Sequence, residues 1–186
     1  ALGTKIKEWL APWRADRPRV LVALPRSSVE LLYLTLPPAT DEELPELVTN
    51  LAVQESPAIS EQTLLDFLPS AGTPEAPRLV LAAALADEEQ RRIRGRLAAA
   101  GLTPQRIVLR PLGGASLFRQ LIASSDRTCL VINRIGQDVE LNLVAPGRIV
   151  FSRTVRLPEQ ASEEDVADRL VAEAKRTVLA APREHV

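Results

Sequence analysis

The strongest constraint on the fold is that short apolar runs alternate along the chain with amphipathic stretches of helical period. The first apolar runs cover residues 20–24, 29–36, 64–68, 78–85 and 106–109, and most are bounded by proline or polar residues. Runs of this length are typical of β-strands, whereas helices usually need about ten residues or more. The pattern therefore predicts an α/β protein.

Helical spacing of apolar residues occurs in residues 2–10, 41–54, 87–100 and 114–122, and again after Ser162. The sets predicted to face inward are Leu44, Leu47, Val48 and Leu51 in the second helix, Ile93, Leu97 and Ala100 in the third, and Val166, Leu170, Ala174 and Val178 in the last.

Start and stop signals accompany three of these helices. Thr40 with Glu43, and Ser162 with Asp165, have the spacing of a capping box, in which each side chain binds a backbone N–H of the first turn. Asp87 is predicted to cap the third helix, and Gly101 to end it. Because Pro45 lies early in the predicted helix 41–54, the true start could lie one turn later.

Three consecutive apolar runs, at residues 128–132, 139–144 and 149–155, predict an antiparallel meander. Pro146-Gly147, a typical turn dipeptide, joins the last two. Strand, helix and meander in this order favour a mixed-sheet α/β fold.

Charge gives no indication of a nucleic-acid partner. The chain has 23 basic and 24 acidic residues, for a net charge of −1, whereas phosphate recognition needs a clustered basic face. The arginines at positions 91, 92, 94 and 96 follow an acidic segment, residues 87–89, which predicts a solvated helix face.

Several site classes are excluded by composition. Cys129 and His185 are the only residues of their kinds, so a disulfide, a Cys–His nucleophile and a structural zinc site are not expected. No apolar run reaches the roughly 20 residues needed to cross a bilayer, and no signal peptide opens the chain. Because the chain starts at Ala1 inside a predicted helix, we expect it to be a fragment.

One region resembles a known family. Residues 20–36 read VLVALPRSSVELLYLTL and are followed by Pro37, an acidic amphipathic helix, Pro57 and the run Leu64-Leu65-Asp66-Phe67. This order resembles PilM-type type IV pilus assembly proteins, and it is similar to the cytoplasmic part of GspL-type secretion proteins. Both belong to the actin-like ATPase superfamily, and the resemblance extends over nearly the whole chain, to residues 129–155.

The resemblance implies a partial actin-like, ribonuclease H-like fold with a mixed sheet. Residues 1–25 would form part of the first lobe, and residues 26–85 an inserted strand-helix-strand-strand subdomain. The chain would return to the first lobe over residues 86–127. Residues 128–186 would start the second lobe as a three-strand meander plus a helix.

The resemblance also places a phosphate-binding hairpin at Asn133, Arg134, Gly136 and Asp138. The family pattern there is Asp-x-Gly with a hydroxyl residue four positions further on, which supports Mg²⁺ and phosphate. With Asn133 at the carboxylate position, Ile135 replaces the glycine and Val139 the hydroxyl residue. With Gly136 at the glycine position, Arg134 replaces the carboxylate. Neither register restores the site. We therefore expect no ATP hydrolysis, no catalytic residues, no metal and no cofactor.

Other enzymatic motifs are weaker still. Gly113-Gly114 before a predicted helix is better explained as a helix entry than as an anion nest. Ser27-Ser28 lacks the Gly-x-Ser-x-Gly elbow, and Asp66 is a single carboxylate at a strand end.

The leading functional hypothesis is a non-catalytic cytoplasmic scaffold of a type IV pilus or type II secretion complex. The family implies a position at the inner face of the inner membrane and, as partner, the cytoplasmic tail of an inner-membrane assembly protein. The predicted partner-binding residues are Val29, Leu31, Tyr33, Glu43, Glu46 and Asn50. The alternatives are an ATP-binding actin-like protein seen in part, or a fold remnant with an unrelated interaction role.

Overall fold

The computed structural model describes residues 2–13, 19–60, 62–69, 72–121, 127–146, 148–160 and 162–181. The helices are α1 (Leu2–Leu10), α2 (Leu44–Glu55), α3 (Asp87–Ala98), α4 (Arg110–Leu121) and α5 (Glu163–Ala180). The strands are β1 (Val20–Leu24), β2 (Glu30–Leu36), β3 (Leu64–Pro69), β4 (Arg78–Leu85), β5 (Pro104–Leu109), β6 (Cys129–Ile135), β7 (Asp138–Ala145) and β8 (Arg148–Arg156). Short 3-10 helices cover Ala11–Trp13 and Arg26–Ser28.

The described residues form two compact units. The first unit contains the described residues within 2–24, 28–68 and 73–108, and the second contains those within 25–27, 69–72 and 109–181. Each predicted strand forms within a few residues of its expected bounds. Strand formation was predictable because the apolar runs are short, and most are rich in β-branched residues or leucine.

In the first unit, β4 lies between β2 and β3. β2 pairs antiparallel with β4 from Glu30 opposite Ala84 to Leu36 opposite Arg78. Because side chains alternate across a strand, one sheet face collects every second residue. That face packs against α2 in an apolar core whose buried members are Leu34, Leu36, Ala39, Leu44, Val48, Ala52, Ile59, Val80, Ala82 and Ala84.

The first unit also contains the β1–β5 pair and the contact of α1 with α3. A Cβ at Gly3 would lie 2.7 Å from the Cβ of Ala99, so this close approach requires glycine. α3 ends as predicted, because Gly101 adopts φ +75°. The N–H of Gly101 donates to the carbonyl of Ala98 and the N–H of Leu102 to that of Leu97, as in a Schellman motif.

The second unit contains the predicted meander, with strand order β6-β7-β8 and both pairs antiparallel. A register shift between Leu143 and Val144 marks a bulge in the β7–β8 pair. α4 packs against all three strands, and α5 packs on β7 through Val166 and Leu170. Strand β7 is buried on almost its whole length.

α5 begins with the predicted capping box between Ser162 and Asp165. The inward residues Val166, Leu170 and Ala174 pack on the apolar core of the sheet, as expected. Val178 does not, since it is 52% exposed. At this end of the helix Thr177 and Ala181 take the buried positions instead, so the inward face lies slightly to one side of the predicted stripe.

Three helix starts differ from the predictions. α2 begins at Leu44 rather than at residue 41, because Pro45 has no N–H to donate and fits only in the first turn. α3 begins with Asp87 inside the helix; Ala86 occupies the cap position, and the Asp87 carboxylate pairs with Arg91 at 2.8 Å. α4 begins at Arg110 rather than at residue 114, because Pro111 is tolerated in a first turn.

The chain has the mixed α/β architecture that the sequence predicts. α4 belongs to the second compact unit. The division into lobes and an inserted subdomain at residues 26–85 stays a prediction. Among the helices described, none combines the length and apolarity that crossing a bilayer requires.

Candidate functional site

The predicted phosphate hairpin is the turn between β6 and β7, and the structure brings its four residues together. Asn133 lies opposite Glu140, Arg134 opposite Val139, and Ile135 opposite Asp138. Gly136 opens the two-residue turn with φ +62°, a conformation that favours glycine. The presence of glycine at position 136 is therefore explained by the backbone conformation of the turn.

Side-chain and backbone N–H groups donate hydrogen bonds to the oxygens around this turn. The Nε of Arg134 donates to the carbonyl of Gly136 at 3.1 Å. The Nε and Nη2 of Arg156 donate to the side-chain oxygen of Gln137, and the N–H of Leu157 donates to its carbonyl at 2.8 Å. Ile135, at the end of β6, is exposed, and its β-branched side chain allows less close approach to the backbone than a glycine would.

A buried carboxylate lies three residues beyond the turn, at Glu140. Its side chain is only 1% exposed. Its Oε1 accepts hydrogen bonds from the backbone N–H of Arg26 at 3.0 Å, and from Nε and Nη2 of Arg110 at 3.2 and 2.9 Å. A buried carboxylate needs such a charged partner, because burial without one strongly favours protonation.

The polar contacts continue along the same face of the sheet. Asn142 lies opposite Ser152, whose hydroxyl donates to the Asn142 Oδ1 at 2.6 Å. The Nε of Arg26 donates to the carbonyl of Ser152 at 3.3 Å, so Arg26 links Glu140 to β8. Three buried atoms on this face have no hydrogen-bond partner in the described part of the chain; they are Glu140 Oε2, Asn142 Nδ2 and Thr154 Oγ1.

Sequence reasoning missed this buried polar network. The sequence pattern that corresponds to it is the alternation of polar residues, at positions 138, 140 and 142, with valine and leucine in β7. Alternation of this kind usually places the polar side chains in solvent. Here α4 covers the sheet, and Glu140 and Asn142 are therefore buried.

These residues do not fit Mg²⁺ and a nucleotide phosphate. Mg²⁺ prefers carboxylate and water oxygens, but Asn133 offers a neutral amide and the Oε1 of Glu140 is already bound to Arg110. Groups of three or more His, Cys, Asp or Glu suited to a metal ion do not occur among the described residues. Cys129, at the start of β6, is only half-buried.

The six predicted partner-binding residues fall into two sets. Glu43, Glu46 and Asn50 are exposed on the first turns of α2, at the three- and four-residue spacing of one helix face. Leu31 and Tyr33 lie on the opposite sheet face from the one that α2 covers. Leu31 is also buried, and Val29, just before β2, is half-buried. The six therefore do not form one surface.

Glu43 has a local role in addition. Its carboxylate accepts hydrogen bonds from the backbone N–H and the hydroxyl of Thr40, at 2.8 and 2.9 Å. The backbone bond first, and the hydroxyl second, lower the pKa of Glu43 below its ordinary value. These bonds form half of the predicted capping box, but Glu43 itself occupies the cap position of α2.

Comparison with solved structures identifies the fold. The chain superposes on a chain of the PilM-PilN type IV pilus biogenesis complex with a TM-score of 0.73 and 27% identity, over 95% of its own length. It also superposes on the cytoplasmic domain of EpsL, an inner-membrane component of the type II secretion system of Vibrio cholerae. That match has a TM-score of 0.59 and 17% identity, over 83% of this chain.

This chain has the actin-like fold of PilM and EpsL. The resemblance stated from the sequence is therefore confirmed for the fold. The chain spans only 56% of the matched PilM-PilN complex chain and 55% of the EpsL chain. No protein-family model matches the sequence, and a search of curated proteins gives no match.

Proposed function

We propose that this chain is the PilM-like part of a type IV pilus or type II secretion assembly complex, and that it acts as a non-catalytic, protein-binding scaffold. The observation that carries the proposal is the superposition over 95% of the chain at 27% identity. Both matched structures are named as components of such assemblies. The expected location is the cytoplasmic side of the inner membrane, where EpsL is a component.

The non-catalytic part of the proposal is supported by the β6–β7 hairpin. Asn133 replaces the carboxylate expected of an actin-like ATPase, and Ile135 replaces the glycine. Phosphoryl transfer depends on positioned Mg²⁺ and on close backbone approach to the phosphates. Neither requirement is met by these side chains.

Calorimetric titration of the chain with Mg-ATP tests this part. We expect no binding heat from a sample whose circular dichroism shows it to be folded. The triple variant Asn133→Asp/Ile135→Gly/Val139→Thr restores the family pattern in one register and is the matched control for detecting weak binding. Micromolar binding by the unmodified chain would instead favour the alternative, an ATP-binding actin-like assembly protein.

The partner that we propose is the cytoplasmic segment of an inner-membrane assembly protein, of the kind that PilN represents in the matched complex. The surface that suits it best is the exposed face of α2 with Glu43, Glu46 and Asn50. These residues are polar and exposed, and their side chains are not needed by the apolar core of the first unit. An acidic face of this kind would select a partner segment with basic residues.

Co-purification with the PilN-type protein of the same organism tests this surface. Glu46→Lys should reduce capture at least tenfold, since it reverses one charge at the centre of the face. Asp168→Lys, on the exposed side of α5, makes the same charge change on a helix of the other unit and should leave capture unchanged. Equal capture by both variants would remove α2 from the proposal, and a loss in both would indicate a non-specific charge effect.

A further inference from the structure

A second buried carboxylate, Glu173, lies in the second unit on α5. Its side chain is 3% exposed although it occupies a helix whose outer side faces solvent. The position flanks the stripe of Val166 and Leu170, by which α5 packs on the sheet. The carboxylate is therefore held at the border between the core and the surface.

Three arginines surround this carboxylate. Arg153 of β8 pairs with Oε2, while Arg169 and Arg176 of α5 pair with Oε1 at 3.3 and 2.7 Å. The two helix arginines lie four residues before and three residues after Glu173, so all three side chains share one side of α5. We call these four residues the Glu173 arginine cluster.

The cluster carries more positive charge than the carboxylate can neutralise. Three guanidinium groups face one carboxylate, which leaves two positive charges over. In the ranges that the structure describes, no other carboxylate lies within ion-pair distance of these arginines. One arginine would be sufficient to neutralise Glu173, so neutralisation alone does not account for three.

The surplus charge is accessible and held in place. The side chains of Arg153, Arg169 and Arg176 are 30, 51 and 62% exposed, so each keeps N–H donors that face solvent. The buried carboxylate restrains all three, which lowers the conformational entropy that a bound anion would have to remove. Guanidinium groups match the oxygens of phosphate and carboxylate in a bidentate geometry.

We infer that the Glu173 arginine cluster is a binding site for a dianionic oxyanion of the phosphate class, either free phosphate or a phosphate monoester on a small molecule. A phosphate monoester carries a charge of about −1.5 to −2 at neutral pH, which matches the surplus of the cluster. This site lies outside the β6–β7 hairpin and involves none of its residues. The inference does not depend on the proposed assembly function.

Titration of the full chain with sodium phosphate tests the inference, monitored by NMR through the Nε–H signals of arginine. We expect saturable binding with a Kd tighter than about 10 mM and shifts confined to the signals of the cluster. Arg169→Gln and Arg176→Gln should each weaken binding about tenfold, because each removes one charge-assisted contact. Arg169→Lys should also weaken it, since lysine keeps the charge but loses the planar fork.

The matched control is Arg91→Gln, which removes an exposed helix arginine that pairs with Asp87 in the other unit. It should leave phosphate binding unchanged. Thermal unfolding of each variant verifies that the fold persists. Shifts that are linear in phosphate concentration, or that Arg91→Gln weakens as much as Arg169→Gln, would overturn the inference.

A second arm separates a small anion from a membrane surface. Sedimentation with vesicles that contain phosphatidylglycerol should show no binding that depends on Arg169 and Arg176. If these two arginines control vesicle binding while phosphate does not bind, the small-anion inference is wrong and the cluster recognises lipid headgroups.

Discussion

Glu140 and Glu173 are both buried carboxylates of the second unit, and both are bound by arginine, yet their surroundings differ. Arg110, the partner of Glu140, is 19% exposed, and Glu140 also accepts the backbone N–H of Arg26. The helix arginines that pair with Glu173 are more than half exposed. The Glu140 pair is thus enclosed in the fold, whereas the Glu173 cluster opens to solvent.

Burial of the carboxylate alone therefore does not set the contribution of an ion pair to stability. Removing one member of an enclosed pair leaves a buried charge with no compensation, which is strongly destabilising. Exposed arginines can return to water, so their loss of a partner is less costly. Two other carboxylates, those of Asp165 and Glu43, accept hydrogen bonds at the exposed N-terminal ends of α5 and α2. They add surface carboxylates to the comparison.

The largest effect is expected for Glu140→Ala. It leaves the Arg110 guanidinium largely buried and unpaired, and should lower the free energy of unfolding by about 3–5 kcal/mol in urea denaturation. The double variant Glu140→Gln/Arg110→Gln should recover part of that loss, because it removes both charges. A loss below about 1 kcal/mol for Glu140→Ala would mean that Arg110 rehydrates as freely as a surface arginine.

A smaller loss is expected for Glu173→Ala, of about 1–2 kcal/mol in the same measurement. The desolvation of a buried carboxylate disappears with the side chain, and Arg169 and Arg176 can extend into water. A loss equal to that of Glu140→Ala would contradict the distinction between the enclosed and the open cluster. Glu164→Ala, an exposed carboxylate on the same helix, is the control for the change of helix charge.

Removal of the α5 cap by Ser162→Ala should lower the free energy of unfolding by about 1 kcal/mol. The Ser162 hydroxyl accepts the N–H of Asp165, and the Asp165 carboxylate accepts from Ser162 in return. Ser162→Thr keeps both the acceptor for the N–H and the hydroxyl that donates to Asp165, and should retain most of the stability. Equal losses in both variants would show that the cap hydrogen bond is not the source of the effect.

The smallest effect concerns the pKa of Glu43. Hydrogen bonds from Thr40 lower this pKa. Their contribution to the free energy of unfolding is therefore present above the unfolded-state pKa, and it is lost as the pH falls through the lower folded-state pKa. Thr40→Ala removes the hydroxyl donor, so the pKa should rise towards its ordinary value in a carboxyl NMR titration. Thr49→Ala removes a hydroxyl that binds the carbonyl of Pro45 instead, and should leave the pKa of Glu43 where it is.

Much of the fold followed from local signals. The strand at Arg78–Leu85 and the meander were predicted because apolar runs and turn dipeptides act over a few residues. The capping box of α5 and the stop at Gly101 followed from side-chain chemistry at fixed spacing. Pro45 and Pro111 each lie in the first turn of a helix, and these two helices begin at other residues than the sequence predicts.

The candidate sites were less predictable, because they depend on contacts between distant residues. Arg26 and Glu140 are 114 positions apart, and no spacing rule connects them. The same limit applies to Arg153 and Glu173, since one lies on a strand and the other on a helix. The four hairpin positions are neighbours in the chain, so the resemblance could predict them together, and their role stays a prediction.

The order of strands and helices and the resemblance to PilM could be read from the sequence, whereas the role of Asn133 and Ile135 in a degenerate hairpin stays a prediction. These depend on residue identity and on spacing over one or two turns. Tertiary structure alone decided which polar residues are buried, which sheet face Leu31 occupies, and which arginines converge on Glu140 and Glu173. Such properties arise when helices cover a sheet, because packing decides which side chains leave water.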